Sequence, residues 1–305
     1  MKINGTKKIM AISVFLILIV IEIVLRCVWG FGTMPLYYAD SHFEYAPCPN
    51  QTMKRLGNKI HYNRYSQRSD EPDSNKIIIL GLGDSVLFGG VQTDQDSLAT
   101  TMFSKIKGFQ MLNIAVGSWG PDNIAAYLRT KGTFGAKAMF VYLSSHDAHD
   151  VMDFSPIVGK HQSYPDKQYP CAIAEVVCRY AWPRLMSRFK KELPDPDKQV
   201  LNQIDGIRKG RGVLNPGFNQ LKQIADSVKI PLVFCLHAEQ KESKIGNYND
   251  QGLEIINWAK KNNVHLVEDI HVMDSSCYRD GIHINAEGQR RLFRIMKRTL
   301  IPMFN

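Results

Sequence analysis

Cys-x-x-Cys is absent from the 305 residues, as are internal repeats and low-complexity tracts. The first absence argues against a zinc ribbon or a thioredoxin-like redox site. The others argue against a solenoid and against a compositionally biased disordered tract. No RNA- or DNA-binding motif accompanies the net charge of +9, so nucleic acid is not an expected partner. The basic residues are dispersed, with short clusters at Arg188-Phe189-Lys190-Lys191, at Arg208-Lys209-Gly210-Arg211 and near the C-terminus. They read as solvated surface; the alternative is affinity for an anionic glycan or a membrane surface. The cysteines are Cys27, Cys48, Cys171, Cys178, Cys235 and Cys277. Cys171 and Cys178 form either a local disulfide, if this part of the chain lies outside the cytoplasm, or a pair of buried free thiols.

What the chain does have is material for a core. Apolar residues make up 44% of a length that holds one large domain or two small ones. A long apolar run opens it. Lys2, Lys7 and Lys8 precede residues 9–21, which are apolar but for Ser13, and the pattern continues past Glu22 to about Phe31. About twenty such residues cross a bilayer as a helix. Glu22 and Arg26 are spaced to pair along a helix, which lowers their cost near the membrane edge. The lysine flank puts the N-terminus in the cytoplasm and the rest outside, in the periplasm or at the cell surface. We read residues 1–31 as a cytoplasmic stub and an uncleaved single-pass anchor. A cleaved signal peptide is the rival, but the run is long for one and no small-x-small site follows it cleanly. A buried core helix fits neither the lysine flank nor the terminal position.

Residues 32–75 show little periodicity. Tyr37, Tyr38, Phe43, Tyr45, Tyr62 and Tyr65 are scattered among Pro, Asn, Asp and Arg. This predicts an extended lead-in that packs its aromatics onto the next domain. A polar break at 67–74 closes it.

That domain is organised around Lys76-Ile77-Ile78-Ile79-Leu80-Gly81-Leu82-Gly83-Asp84-Ser85. The large apolar residues, mostly β-branched, predict a strand buried on both faces. Gly81 and Gly83 allow a tight turn, and Ser85 follows at the carboxyl end of the strand, where open α/β sheets hold ligands. An ordinary strand-to-helix turn with an N-capping Asp or Ser would look similar. Helix then alternates with strand: helix 96–107, strand 111–116, helix 123–130, strand 138–143, a helix from Asn215-Pro216, strand 230–236, helix 252–261, strand 264–267 and a basic amphipathic helix at 286–303. The alternation predicts a three-layer α/β/α domain with a parallel five-stranded sheet over residues 76–305. Within it, proline-rich residues 153–212, with a helix at 172–189, read as an insertion over the active-site mouth. Its role is either substrate selection or structure alone.

A second stretch lies two hundred residues on: Asp280-Gly281-Ile282-His283-Ile284-Asn285-Ala286-Glu287-Gly288. Together with Gly83-Asp84-Ser85 it resembles the SGNH/GDSL hydrolases. The resemblance implies Ser85 as nucleophile, His283 as base and then acid, and Asp280 as the carboxylate that holds His283. The family's second block, an Asn-led strand and a glycine whose amide binds the oxyanion, falls at Asn113 to Ser118. Ser118 stands at the glycine's position beside Gly117, and its backbone N–H can serve the same end. The third block, usually Gly-x-Asn-Asp, puts His146 at the Asn position and Asp147 next to it. A neutral imidazole of the right tautomer has one N–H to donate. Two histidines and two aspartates between 146 and 150 would also suit a metal, but no further ligand set accompanies them, so neither metal nor cofactor is expected. His237 and His271 read as structural.

The resemblance implies ester chemistry, either hydrolysis or acyl transfer to a sugar hydroxyl through the same acyl-enzyme. An extracytoplasmic tether points to O-acetyl groups of cell-envelope or secreted glycans as the substrate. From another class comes a non-catalytic glycan-binding or assembly protein that has kept the fold. Nothing in the sequence fixes an oligomeric state.

Overall fold

The computed structural model describes residues 5–189 and 212–304. The basic cluster at 208–211, and Lys190-Lys191 of the other, lie outside the described residues. Helix α1 (Gly5–Val24) runs on through a wide turn, Leu25–Trp29, and stops at Gly30, whose left-handed backbone ends the helix. Thr6–Trp29 is long and apolar enough to cross a membrane, and its apolar stretch is unburied. Glu22 accepts from Arg26 at 2.5 Å.

The lead-in is not simply extended. It folds into two antiparallel hairpins, β1 (Tyr37–Asp40) with β2 (Glu44–Pro47) and β3 (Gln51–Arg55) with β4 (Asn58–Tyr62). The second hairpin closes over Leu56-Gly57, both at positive φ, the twist a two-residue loop requires. Leucine is a poor sign of such a turn, and buried polar residues (Glu44, Arg55) interrupt the apolar alternation. Phe43 packs edge-on against Trp119 and Tyr127, and Tyr62 stacks on Phe88, so one hairpin packs on each side of the α/β part of the chain.

The α/β part begins with β5 (Ile77–Gly83), α2 (Ser85–Phe88), α3 (Ala99–Ser104), β6 (Phe109–Ala115), α4 (Pro121–Lys131) and β7 (Ala138–Ser144). After the insertion's α5 (Ala172–Glu175) and α6 (Trp182–Phe189) come α7 (Gly217–Val228), β8 (Leu232–His237), α8 (Gln240–Ile245), α9 (Asp250–Lys261), β9 (His265–Glu268) and α10 (Ala286–Leu300). All five sheet strands are parallel, in the order β6-β5-β7-β8-β9. Leu80, Leu82, Val141 and Phe234 face α4, α7 and α9 on one side. Ile79, Phe140 and Val233 face α2, α3 and α10 on the other. This is the three-layer α/β/α arrangement that the alternation predicts. The chain leaves β5 for β6 on one side and returns to β7 on the other. The crevice outside the carboxyl ends of these strands is the natural ligand site of such a sheet.

Three local expectations change. The helix predicted at 96–107 shrinks to α3, because Leu98 is extended and splits off a short turn at Gln95–Ser97. The helix at 172–189 contains a wide turn, Val176–Ala181, between α5 and α6. Cys171 and Cys178 are free thiols, one half-buried and one exposed, so neither expectation for them holds. Seven helical residues span about 10 Å, beyond a disulfide's reach.

Arg55 and Glu175 form a two-pronged ion pair with side chains only 3% and 0% exposed. Glu175 also accepts from Gly32 N–H at 2.6 Å, and Arg55 donates to Gly30 O at 3.1 Å. The pair thus joins the end of α1, the lead-in and the insertion. Stranding one buried charge costs about 3–5 kcal/mol. Arg55→Met in the detergent-solubilised chain is therefore expected to lose about that much stability in urea, and Arg55→Met/Glu175→Met to lose less. An unchanged urea midpoint for the single variant would refute this role.

Candidate active site

At Gly83 an added Cβ would lie 2.6 Å from the Tyr142 carbonyl, so only glycine lets β5 and β7 approach so closely. Asp84 then caps α2, its Oδ1 accepting from Val86 N–H at 2.8 Å. The capping reading of this turn therefore holds, with Asp84 and not Ser85 as the cap. The Ser85 hydroxyl is left to another partner: its Oγ lies 3.0 Å from His283 Nε2.

Asp280 and His283 sit on a tight loop closed by an antiparallel bridge between Tyr278 and Ile284. Asp280 Oδ1 accepts from the N–H groups of Ile282 and His283 at 3.0 and 2.7 Å, and Oδ2 lies 2.9 Å from His283 Nδ1. Partial burial favours the neutral acid, but those two N–H groups and the imidazole outweigh it and hold the Asp280 carboxyl below the usual carboxylate range. Asn285 then caps α10 by accepting from Glu287 and Gly288 N–H. The stretch from Asp280 to Gly288 is thus a turn, a bridge and a helix cap in succession.

His237, read from the sequence as structural, is buried beneath this loop. Its Nε2 donates to Ile282 O at 2.9 Å, and its Nδ1 lies 2.7 Å from Asp269 Oδ2, to which Tyr142 also donates at 2.7 Å. Burial opposes a charge on the ring, yet Asp269 and the Ile282 carbonyl raise its pKa above the ordinary histidine value. His271 is exposed.

Gly117 and Ser118 follow β6. Tyr45 donates to Gly117 O at 2.9 Å; the Tyr164 hydroxyl reaches the same oxygen at 3.0 Å and Ser118 Oγ at 3.1 Å. Ser118 has φ +61°, a conformation glycine adopts without strain, which is why the two residues suit one position. Among the described residues, the N–H groups of Ser85, Gly117 and Ser118 donate to no backbone carbonyl.

His146 follows β7. Its Nδ1 lies 3.3 Å from Glu239 Oε1, and its Nε2 lies 3.8 Å from Asp84 Oδ2 and 3.7 Å from Asp147 Oδ1. Burial disfavours the charged ring, but Asp147, Glu239, Asp84 and Asp150 prevail and raise its pKa to about 10. This corrects the neutral-imidazole expectation: the ring is an imidazolium at neutral pH, with both nitrogens turned to carboxylates. Asp84 Oδ2 and Asp147 Oδ1 are buried without a hydrogen-bond partner among the described residues; burial pushes the Asp147 carboxyl well above its ordinary value, opposed by the His146 ring. Ligand atoms of Asp84, His146 and Asp147 lie within 4.8 Å of one another, so these residues could hold a cation only if the ring gave up its proton. His149 turns away to Glu254, at 2.7 Å.

The charged ring has a pH signature. A histidine lifted above its ordinary 6.5 stabilises the fold fully below that value and ceases to as pH rises through about 10. His146→Gln should melt well below the wild type at about pH 7, and the gap should narrow toward about pH 10. A gap that stays constant over that range would contradict the assignment.

Sequence reasoning assigns no site role to Tyr45, Tyr142, Tyr164, Glu239 or Asp269. Only Glu239 carries a usable signal, its place just past the end of a predicted strand.

No family model matches the chain, and no curated protein does. Solved structures similar to it include a member of the lipolytic protein G-D-S-L family from Veillonella parvula, 9% identical, covering 73% of this chain and 97% of that one with a TM-score of 0.39. TesA is 13% identical, covering 74% and 99%, TM-score 0.44. The aryl esterase of M. smegmatis, in its inhibitor-bound form, is 12% identical, covering 74% and 99%, TM-score 0.43. Likeness this distant carries no functional argument, and the chemistry rests on the geometry above.

Proposed function

We propose that this chain is a membrane-tethered serine esterase of the SGNH/GDSL kind, acting on O-acetyl groups of cell-envelope or secreted glycans. One observation carries the reading: the continuous relay from Ser85 Oγ to His283 Nε2, at 3.0 Å, and from His283 Nδ1 to Asp280, at 2.9 Å. A serine hydroxyl attacks an ester only if a base takes its proton, and the base works only if its tautomer is fixed. His283 takes the proton and Asp280 fixes the ring. The oxyanion that forms on the ester oxygen meets the N–H of Ser85 and that of Gly117 or Ser118, each such donor being worth about 2.7–4 kcal/mol. As the bond from acyl carbon to sugar oxygen breaks, His283 gives its proton to that oxygen, which departs as the sugar hydroxyl. Water, activated by the same ring, hydrolyses the acyl-serine.

The glycan preference draws support from the insertion. Tyr164 ties it to the Gly117-Ser118 turn, and with Met34 it lines a separate cavity of about 330 Å³ whose wall includes Lys160, Gln168 and Tyr169 but none of the relay residues. Hydrogen-bonding groups beside an aromatic face suit a sugar. The test is to incubate the detergent-solubilised chain with O-acetylated polysaccharides and measure acetate. We expect release that disappears in His283→Ala. Turnover of p-nitrophenyl acetate with no acetyl removed from, or moved between, carbohydrates would place the substrate elsewhere.

A further inference from the structure

We infer that the segment from α5 through α6 is a second membrane contact, an amphipathic helix lying in the outer interface of the bilayer beside α1. This rests on the reading of α1 as a membrane span.

The segment has two unlike sides. Inward, Ala172 and Glu175 are buried, and Glu175 is fastened by Arg55 and Gly32. Outward, Val177, Trp182 and Leu185 are 46%, 56% and 45% exposed, and with Ala181 and Arg184 they frame one shallow apolar hollow. Ala181, Trp182 and Leu185 recur at the spacing of a single helix face. A tryptophan and two aliphatic side chains held together in water are costly unless something covers them.

Position says what covers them. Glu22, near the far end of α1, accepts from the N–H groups of Ala172 and Ile173 at 2.8 and 2.9 Å. The first turn of α5 is therefore tied to the end of the span opposite the lysines. Fourteen residues separate Lys8 from Glu22, about 21 Å of helix against a hydrocarbon core of about 30 Å. The tie thus lies about 9 Å short of the far headgroups, within the depth at which an interfacial helix buries its apolar face. Tryptophan concentrates just below the headgroups, and the exposed Arg184 can extend its guanidinium group toward lipid phosphates. The domain rests on the membrane at two points instead of swinging from one helix.

Tryptophan fluorescence tests this in the full chain, reconstituted into vesicles of phosphatidylcholine and phosphatidylglycerol. The phosphatidylcholine is brominated near the top of its acyl chains. Trp119 and Trp258 are 1% and 7% exposed and supply a constant unquenched background. Trp29→Phe isolates Trp182, and Trp182→Phe isolates Trp29. We expect bromine to reduce the Trp182 emission by about twofold, as for a ring a few ångströms below the headgroups. Quenching of Trp29 without Trp182 would overturn the second contact, leave the anchor standing and point to a protein partner for the hollow. Quenching of neither would overturn both.

Discussion

Ser85→Ala is expected to cut turnover of p-nitrophenyl acetate by about 10⁴-fold or more. The loss is large because the hydroxyl is the group that bonds to the acyl carbon, and because His283 has no other proton to take in the attack. What survives reflects the amides at Ser85, Gly117 and Ser118, which still favour the oxyanion when water attacks unaided. The substitution should leave the fold alone. Among the described residues, the Ser85 side chain bonds only to His283, and the turn is held by Asp84 and Gly83. Melting temperature and substrate binding are therefore expected to stay near the wild type, so that kcat falls and KM does not rise. Activity retained within about tenfold would remove Ser85 from the mechanism.

Asp280→Asn is expected to lose about 10⁴-fold in kcat by a different route. The asparagine carbonyl can still accept from Ile282 and His283 N–H, so the loop keeps its shape. Its amide, however, presents N–H to His283 Nδ1. The ring must then carry its proton on Nε2, where it donates to Ser85 and cannot receive. Because Asp280 is held below the ordinary carboxylate range, its contribution is present above that range and is lost only as pH falls through the lowered value. Asp280→Ala should be less stable than Asp280→Asn, since it also strands those two N–H groups. If Asp280→Asn kept wild-type kcat, His283 would be oriented by something else.

The parts of this protein legible in its sequence are those where local chemistry and global placement agree. Ile77 to Leu80 can only be a fully buried strand, and Gly83-Asp84-Ser85 then fixes where it ends. Asp280 to His283 is legible because a three-residue spacing brings carboxylate and imidazole together within one turn, whatever the rest of the chain does. The hairpins of the lead-in are illegible for the opposite reason. Their strands are short, their turn uses Leu56, and Arg55 is buried by a partner 120 residues away. The place of His146 at the carboxyl end of β7, 3.8 Å from Asp84, is legible, but its charge is not. That charge depends on Asp147 beside it and on Glu239 and Asp84, which three separate strand ends bring together. His237 likewise gives no sign of bracing Ile282, since only the fold sets Asp269 and Tyr142 around it. Trp182 and Leu185 look in sequence like any core stripe, and only their exposure beside α1 shows otherwise.

The central claim is that one hydroxyl, and no other in the chain, is activated for covalent attack. A serine-reactive phosphonate followed by peptide mass spectrometry tests it most directly. We expect a single adduct on Ser85, absent from Ser85→Ala and formed far more slowly in His283→Ala. A folded wild-type chain that stays unlabelled, or that carries the adduct on another residue, would contradict this claim.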